Sequence, residues 1–445
     1  MSFFQRIKTS LLDDPLFSRV LKSSLHLFSS NTISIGLGIV EAALVYRLLG
    51  PTDAGLIGVI VSYASTINSL FSFRMSELVV RYGGAYLEKD EKDKASALIK
   101  GAGLVEGTVS VLAFIVVLAT ADLAEQHLSK TPNTAYLFMI FALGLLANFN
   151  AETSIGILQI TNKIKLQGTI NLIQSVITLL VVVVAFIWHG GLGMVLLAQL
   201  LGKSIIGLGL FIAAQIQLHQ RLNRGWWRTP IATLGSMREL VHFAISSNIS
   251  ATIIKIFRES EPVWIGYFLS TTAVGYYGVA YKLVSFLAIP ADPLIATTFP
   301  EINRLSTQKA WQRLKDFLRK VTTFAFVYNI ALALGFIVFG HWIITLISDA
   351  RYLPAYPALI ALVIGLTFNY TLFWNRPLLL SMGLPTYPIY VTLIVGLIKI
   401  GLAFLIVPRY GIVAAGALLS FYYIASVGIM AWRGVREIQH QETAA

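Results

Sequence analysis

LLGPTDAGLIGV (48–59) and FLSTTAVGYYGV (268–279) read as one segment occurring twice. Sliding the chain by about 220 residues sets Leu49 on Leu269, Thr52 on Thr272, Gly55 on Gly275, Gly58 on Gly278 and Val59 on Val279. The same shift pairs Glu41 with Glu261 and Gly191 with Gly411, and SSN (29–31) meets SSN (246–248) after a small gap. Short matches arise by chance when offsets are searched, so the wider hydrophobic pattern has to decide. It superimposes under the same shift.

Working outward with a ruler of about 20 apolar residues per bilayer crossing, spans fall near 25–48, 54–73, 97–119, 134–159, 167–188 and 192–217. A second set falls near 240–268, 272–299, 321–347, 357–382, 388–407 and 410–431. The expected fold is an all-α integral membrane protein of about twelve transmembrane helices. They form two parallel six-helix halves around a central cavity, residues 25–217 and 240–431. An N-terminal cytoplasmic or interfacial segment (1–24), a cytoplasmic linker (218–239) and a cytoplasmic tail (432–445) complete the chain. An even number of spans per half makes the repeats parallel, related by an axis along the membrane normal, a geometry suited to alternating access.

Composition agrees. Of 445 residues, 56% are hydrophobic and only 13% charged, against about 25% charged in soluble domains. With so few charges the surface is matched to lipid. There is no cysteine, so disulfides, Cys-ligated zinc and thiol nucleophiles are excluded. The net charge of +12 could suggest nucleic acid, but the basic residues sit on alternate connections, which is a topology signal. Arg81, Lys89, Lys92 and Lys94, then Lys163 and Lys165, then Arg221, Arg224 and Arg228 mark one side. Arg304, Lys309, Arg313, Lys315, Arg319 and Lys320 continue it. The opposite connections carry little beyond Lys130, Arg351 and Arg409. The basic side is expected to be cytoplasmic and to hold both termini, in a multi-pass protein of the cytoplasmic (inner) membrane. The first twenty residues lack the apolar core and cleavage site of a signal peptide. Phe3, Phe4, Ile7, Leu11 and Phe17 beside Arg6, Lys8 and Arg19 suit either a helix lying on the membrane or a frayed tail.

Three basic connections stand out. GGAYLEKDEKDKASALIK (83–100) and STQKAWQRLKDFLRK (306–320) read as short surface helices, the second with Trp311, Leu314, Phe317 and Leu318 on one face. RLNRGWWRTP (221–230) separates the halves, with its Trp pair expected at headgroup level. Membrane lipids are the expected partners of these surfaces.

RLLGPTDAGLIG (47–58), VWIGYFLSTTAVGYYGVAYKLVSF (263–286) and FPEINRL (299–305) resemble segments of the polysaccharide-unit flippases of the multidrug/oligosaccharidyl-lipid/polysaccharide exporter superfamily. The resemblance covers most of the chain in order and spacing, though its motifs are small-residue patterns without chemistry. Twelve spans look like the oligosaccharide flippases; the peptidoglycan-precursor flippases usually carry two more. What the resemblance implies is transfer of a polyprenyl-pyrophosphate-linked oligosaccharide from the cytoplasmic to the outer leaflet. Other proteins of polysaccharide assembly would then be partners.

Ionisable residues inside a membrane are costly and are functional candidates by default. Here they are Glu41, Lys100, Glu106, Glu152, Lys203, Lys255, Arg258, Glu259, Glu261, Lys282, Arg376 and Lys399. Lys100 and Glu106, near the cytoplasmic end of a span, are expected to snorkel to water. KIFRESEPVW (255–264) is the densest group. Lys255 with Glu259 and Arg258 with Glu261 have salt-bridge spacing, and Pro262 favours a kink. Arg258 is the leading candidate for a pyrophosphate, because guanidinium forks onto phosphate oxygens; the structural alternative is pairing with Glu261 or Glu41. Arg376, in FWNRPLLL (373–380), Lys203, Lys399 and Lys255 are further anion-binding candidates. Glu41, Glu152, Glu259 and Glu261 either couple transport to H+ or Na+ or hold these cations. Pro290 and Pro293 mark an expected bend. Asn148, Asn150, Gln159 and Asn171 suit sugars or helix–helix contacts.

A cation-coupled drug exporter of the same superfamily is the alternative, but the intramembrane charge leans basic. A membrane enzyme of polysaccharide assembly would need a sizeable catalytic loop, and none is present. No H-E-x-x-H or other metal spacing occurs, so no cofactor or metal is expected.

Overall fold

In the computed structural model the backbone is described for residues 15–72, 74–222, 225–234, 238–241, 252, 255–257 and 259–443, and side chains from residue 34 onward except at 290, 292, 293 and 296. Among the described residues the chain is helical and has no strand. This is the form a chain must take in lipid, where each backbone polar group needs an internal partner. Eight helices are long and apolar enough to cross a bilayer. The expectation of an all-α membrane protein holds, and twelve crossings are compatible with it.

Two of these helices contain a kink of non-helical backbone, so each is two helices joined end to end. Pro15–Phe71 breaks at Gly50 (φ 73°), followed by Pro51. Tyr387–Thr443 breaks at Gly411 (φ 64°), shortly after Pro408. Left-handed φ costs any residue with a Cβ about 1–2 kcal/mol, so glycine is the natural choice at both turns.

By internal contacts the chain divides into Gly36–Val274 and a second unit made of Gly275–Ala445 with the chain up to Ile35. In the first unit, the limb ending at Phe71 leads through short helical turns (Met75–Leu78, Val79–Gly83, Gly84–Glu88) into helix Lys92–Ala124. Helices Ala135–Ala147, Ala151–Ile160, Ile164–Ile187 and Leu192–Arg221 follow, then single turns at Trp226–Arg228 and Ile231–Leu234, and later helix Glu261–Phe268. Helix Thr271–Val284 carries the chain into the second unit. There Ala288–Thr307, Trp311–Ile347, Tyr356–Thr371 and Asn375–Ser381 precede the final doubled helix.

The repeat read from sequence returns in the packing. In both repeats the fourth span is broken, at 148–150 and at 372–374. Each unit also closes its basic side with an apolar cluster. Ala97, Leu98 and Leu218 of one cluster correspond under the repeat shift to Phe317, Leu318 and Ile438 of the other. Ile438 lies in the segment expected to be the cytoplasmic tail, which is helical as far as Thr443. Lys315 and Glu442 form an ion pair there.

The basic connections differ in detail from the sequence reading. STQKAWQRLKDFLRK is no separate surface helix: Trp311 starts a helix that runs unbroken to Ile347, since no breaker stands between Lys320 and Val321. Its apolar face is as expected, with Trp311, Leu314, Phe317 and Leu318 buried. Likewise only Gly84–Glu88 is a short helix in the first connection, and Lys92 already belongs to the next span. The Trp pair divides: Trp226 is buried, while Trp227 is exposed under the Arg228 guanidinium. One turn before Pro290 and Pro293, where a bend is expected, the helix tightens into a 3-10 turn at Ser285–Leu287. Pro290 lacks the N–H that would bond the Phe286 carbonyl. Residues 1–14, and with them the expected interfacial helix, lie outside the described residues.

Exposed Trp188, Trp342 and Tyr410 sit near helix ends on the sparsely charged side, and Trp227 and Trp432 on the basic side. This is the distribution of aromatic belts at two membrane interfaces.

Within the second unit the closest helix crossing is at Gly365. A Cβ there would lie 2.2 Å from Ser420 Cα, and the Ser420 hydroxyl accepts from Gly365 N at 3.0 Å and donates to the Ala361 carbonyl. Gly365→Val is expected to separate these helices and cost about 2–3 kcal/mol through overpacking. The check is folded yield and thermal unfolding in detergent, where wild-type behaviour would contradict the crossing.

Candidate anion site in the membrane

Helix Leu192–Arg221 places Gln199 and Lys203 one turn apart on one face. Lys203 lies roughly 16 Å along that helix at 1.5 Å per residue, within its apolar run. Its ammonium stands 4.7 Å from the centre of the Phe141 ring, a cation–π contact. The helix is held to its neighbour by Asn148, whose Nδ2 donates to the carbonyls of Gly144 (2.8 Å) and Lys203 (3.0 Å). Asn148 is thus a helix–helix contact.

Lys203 has no carboxylate partner among the described residues. The expected Lys255–Glu259 pair does not form: both side chains are exposed and no ion pair joins them. Glu41 does not pair with Lys203 either; its Oε1 accepts from Gln199 Nε2 at 2.6 Å. So Lys203 is a half-buried cation of an apolar helix with no carboxylate partner among the described residues. In a membrane that arrangement favours an anionic guest.

Arg258, the leading sequence candidate, lies outside the described residues. Around it the helix is interrupted at Ser260 and restarts as Glu261–Phe268, with Pro262 in the first turn, where a missing N–H costs nothing. Glu261 is buried there. Arg376 and Lys399 belong to the other unit, where Arg376 is exposed in a short helix after the break. Lys399 is buried, 5.5 Å from the Tyr422 ring.

Glu106 does not snorkel. It is buried, and its two carboxylate oxygens accept the N–H groups of Glu152 (2.8 Å) and Thr153 (2.9 Å). It therefore caps the N-terminus of the half-helix Ala151–Ile160, whose first-turn donors would otherwise be unsatisfied. Glu152 accepts from the Ser76 hydroxyl. Lys100 does not reach water alone: its ammonium donates to the Thr229 carbonyl at 3.2 Å and pins the linker. Gln199, Phe141 and the capping role of Glu106 were missed in the sequence. The Gln199–Lys203 spacing of one turn was the available signal for the first.

The family described as "Polysaccharide biosynthesis protein" matches residues 20–306. The chain belongs to that family. It is 22% identical over 347 residues to the inner membrane protein YghQ of Escherichia coli strain K12, covering 77% of this chain and 96% of that one. It is 22% identical over 410 residues to a membrane protein of Methanocaldococcus jannaschii, MJ1068, covering 87% and 78%. Among solved structures it resembles the lipid II flippase MurJ in an inward closed conformation (TM-score 0.70, 15% identity, 94% of this chain and 90% of that one). It also resembles an inward-facing multidrug-resistance MATE transporter (TM-score 0.69, 14% identity, 92% and 94%). At these identities the likeness establishes the fold, that of MATE and MurJ transporters.

Proposed function

We propose that the chain is a flippase that carries a polyprenyl-pyrophosphate-linked oligosaccharide across the cytoplasmic membrane for surface polysaccharide synthesis. The observation that carries this reading is Lys203, a half-buried cation of an apolar helix with no carboxylate partner among the described residues, with Lys255 of the second repeat as a second proposed contact. A pyrophosphate supplies the missing negative charge, and ammonium groups bind phosphate oxygens as point charges. Membership of a polysaccharide biosynthesis family supports the sugar, and the fold supports transport. On this reading the protein is a carrier and not an enzyme, and it works by alternating access, with both termini cytoplasmic. Arg258, Arg376 and Lys399 are further contacts for the headgroup. Glu41, Glu152, Glu259 and Glu261 are the candidates for coupling to H+ or Na+.

The test is surface glycan display in cells lacking the chain. Loss of display with lipid-linked units accumulating inside, restored by the wild-type chain, is the expected outcome. Normal display together with new sensitivity to organic cations would instead indicate drug export.

A further inference from the structure

The hydroxyls of Thr52 and Thr272 lie 2.8 Å apart, and the two residues are separated by 220 positions. They are each other's counterparts in the repeat. A residue meets its own counterpart only on the axis that relates two copies, as in any isologous contact. Thr52 follows the Gly50 turn, Thr272 opens helix Thr271–Val284, and both lie on the sparsely charged side.

A second contact supports the first. Helix Glu261–Phe268 ends at Leu269, leaving carbonyls without helical partners. The Lys130 ammonium donates to the carbonyls of Tyr267 (2.7 Å) and Leu269 (3.1 Å), where the helix dipole also favours a cation. Lys130 is held in place from behind. Its N–H bonds the Glu125 carbonyl, and the Glu125 carboxylate accepts the N–H groups of Asn133, Thr134 and Ala135. The packing is close: a Cβ on Gly266 would lie 2.9 Å from the Leu128 carbonyl oxygen and 3.2 Å from Val59.

We propose that Thr52, Thr272 and Lys130 form an outer latch that holds these segments of the two repeats together, and that it must part for the headgroup to leave. This rests on the transport reading above. The polar contacts of the latch are one hydroxyl pair and one ammonium on two carbonyls, with no carboxylate ion pair among the described residues.

The chain has no cysteine, so a Thr52→Cys/Thr272→Cys variant carries only the test pair. With a protease site in the 221–230 linker, oxidation of membranes is expected to hold the two fragments together on a non-reducing gel. Export of the lipid-linked unit should fall more than tenfold on oxidation and return with reductant. Failure to cross-link, or unchanged export by the cross-linked chain, would overturn the latch. A substrate-free arm separates this from failure of the transport reading: Lys130→Ala should raise the labelling rate of a lone Thr272→Cys by a membrane-impermeant maleimide several-fold. Unchanged labelling would also overturn it.

Discussion

Replacing both Lys203 and Lys255 by methionine is expected to abolish export while leaving the protein folded. A hydrogen bond to a charged group is worth about 1.5–3 kcal/mol, so each ammonium on a pyrophosphate accounts for about 10- to 100-fold in affinity. Methionine keeps the length and apolar stem of each side chain and removes only the charge. Neither lysine has a carboxylate partner to lose among the described residues. The single variants should therefore fold at least as well as wild type. The measurement is export of lipid-linked oligosaccharide into the outer leaflet of vesicles, with detergent unfolding as the control for folding. A Lys203→Met, Lys255→Met chain that exports normally would remove the anion site. Lys203→Arg, which keeps the charge, should retain most of the activity.

The fold was legible because a membrane chain has so few options: apolar runs of the right length become helices, and charge bias orders the connections. The repeat could be read from LLGPTDAGLIGV and FLSTTAVGYYGV, and the Thr52–Thr272 contact bears directly on it. What sequence could not supply was the partner of each buried charge. Glu106 looked like a snorkelling residue because its position along a helix says nothing about the neighbouring helix. Its partners are backbone N–H groups, which have no sequence signature. Lys255 and Glu259 had the spacing of an ion pair, yet both side chains are exposed and no ion pair joins them. Helical spacing permits a pair without requiring it.

Glu106→Ala should be the most destabilising single change in the first repeat's interior. The substitution leaves the N–H groups of Glu152 and Thr153 without their carboxylate acceptor at a site only 5% exposed. Each orphaned buried donor costs about 1–3 kcal/mol, and a carboxylate at a helix N-terminus adds a favourable dipole interaction. The expected loss is about 2–6 kcal/mol, seen as a fall of several degrees in the unfolding temperature in detergent and as reduced folded yield. Glu106→Gln should lie between, because one amide oxygen still accepts while the NH2 group faces a second donor. This ordering separates capping from proton coupling. A capping residue loses stability in the order Glu, Gln, Ala with transport falling in step. A coupling residue in the Gln form would stay folded and lose only the dependence of transport on the proton gradient. An Ala variant as stable as wild type would refute the cap, and Glu106 would then join Glu152 among the candidates for coupling.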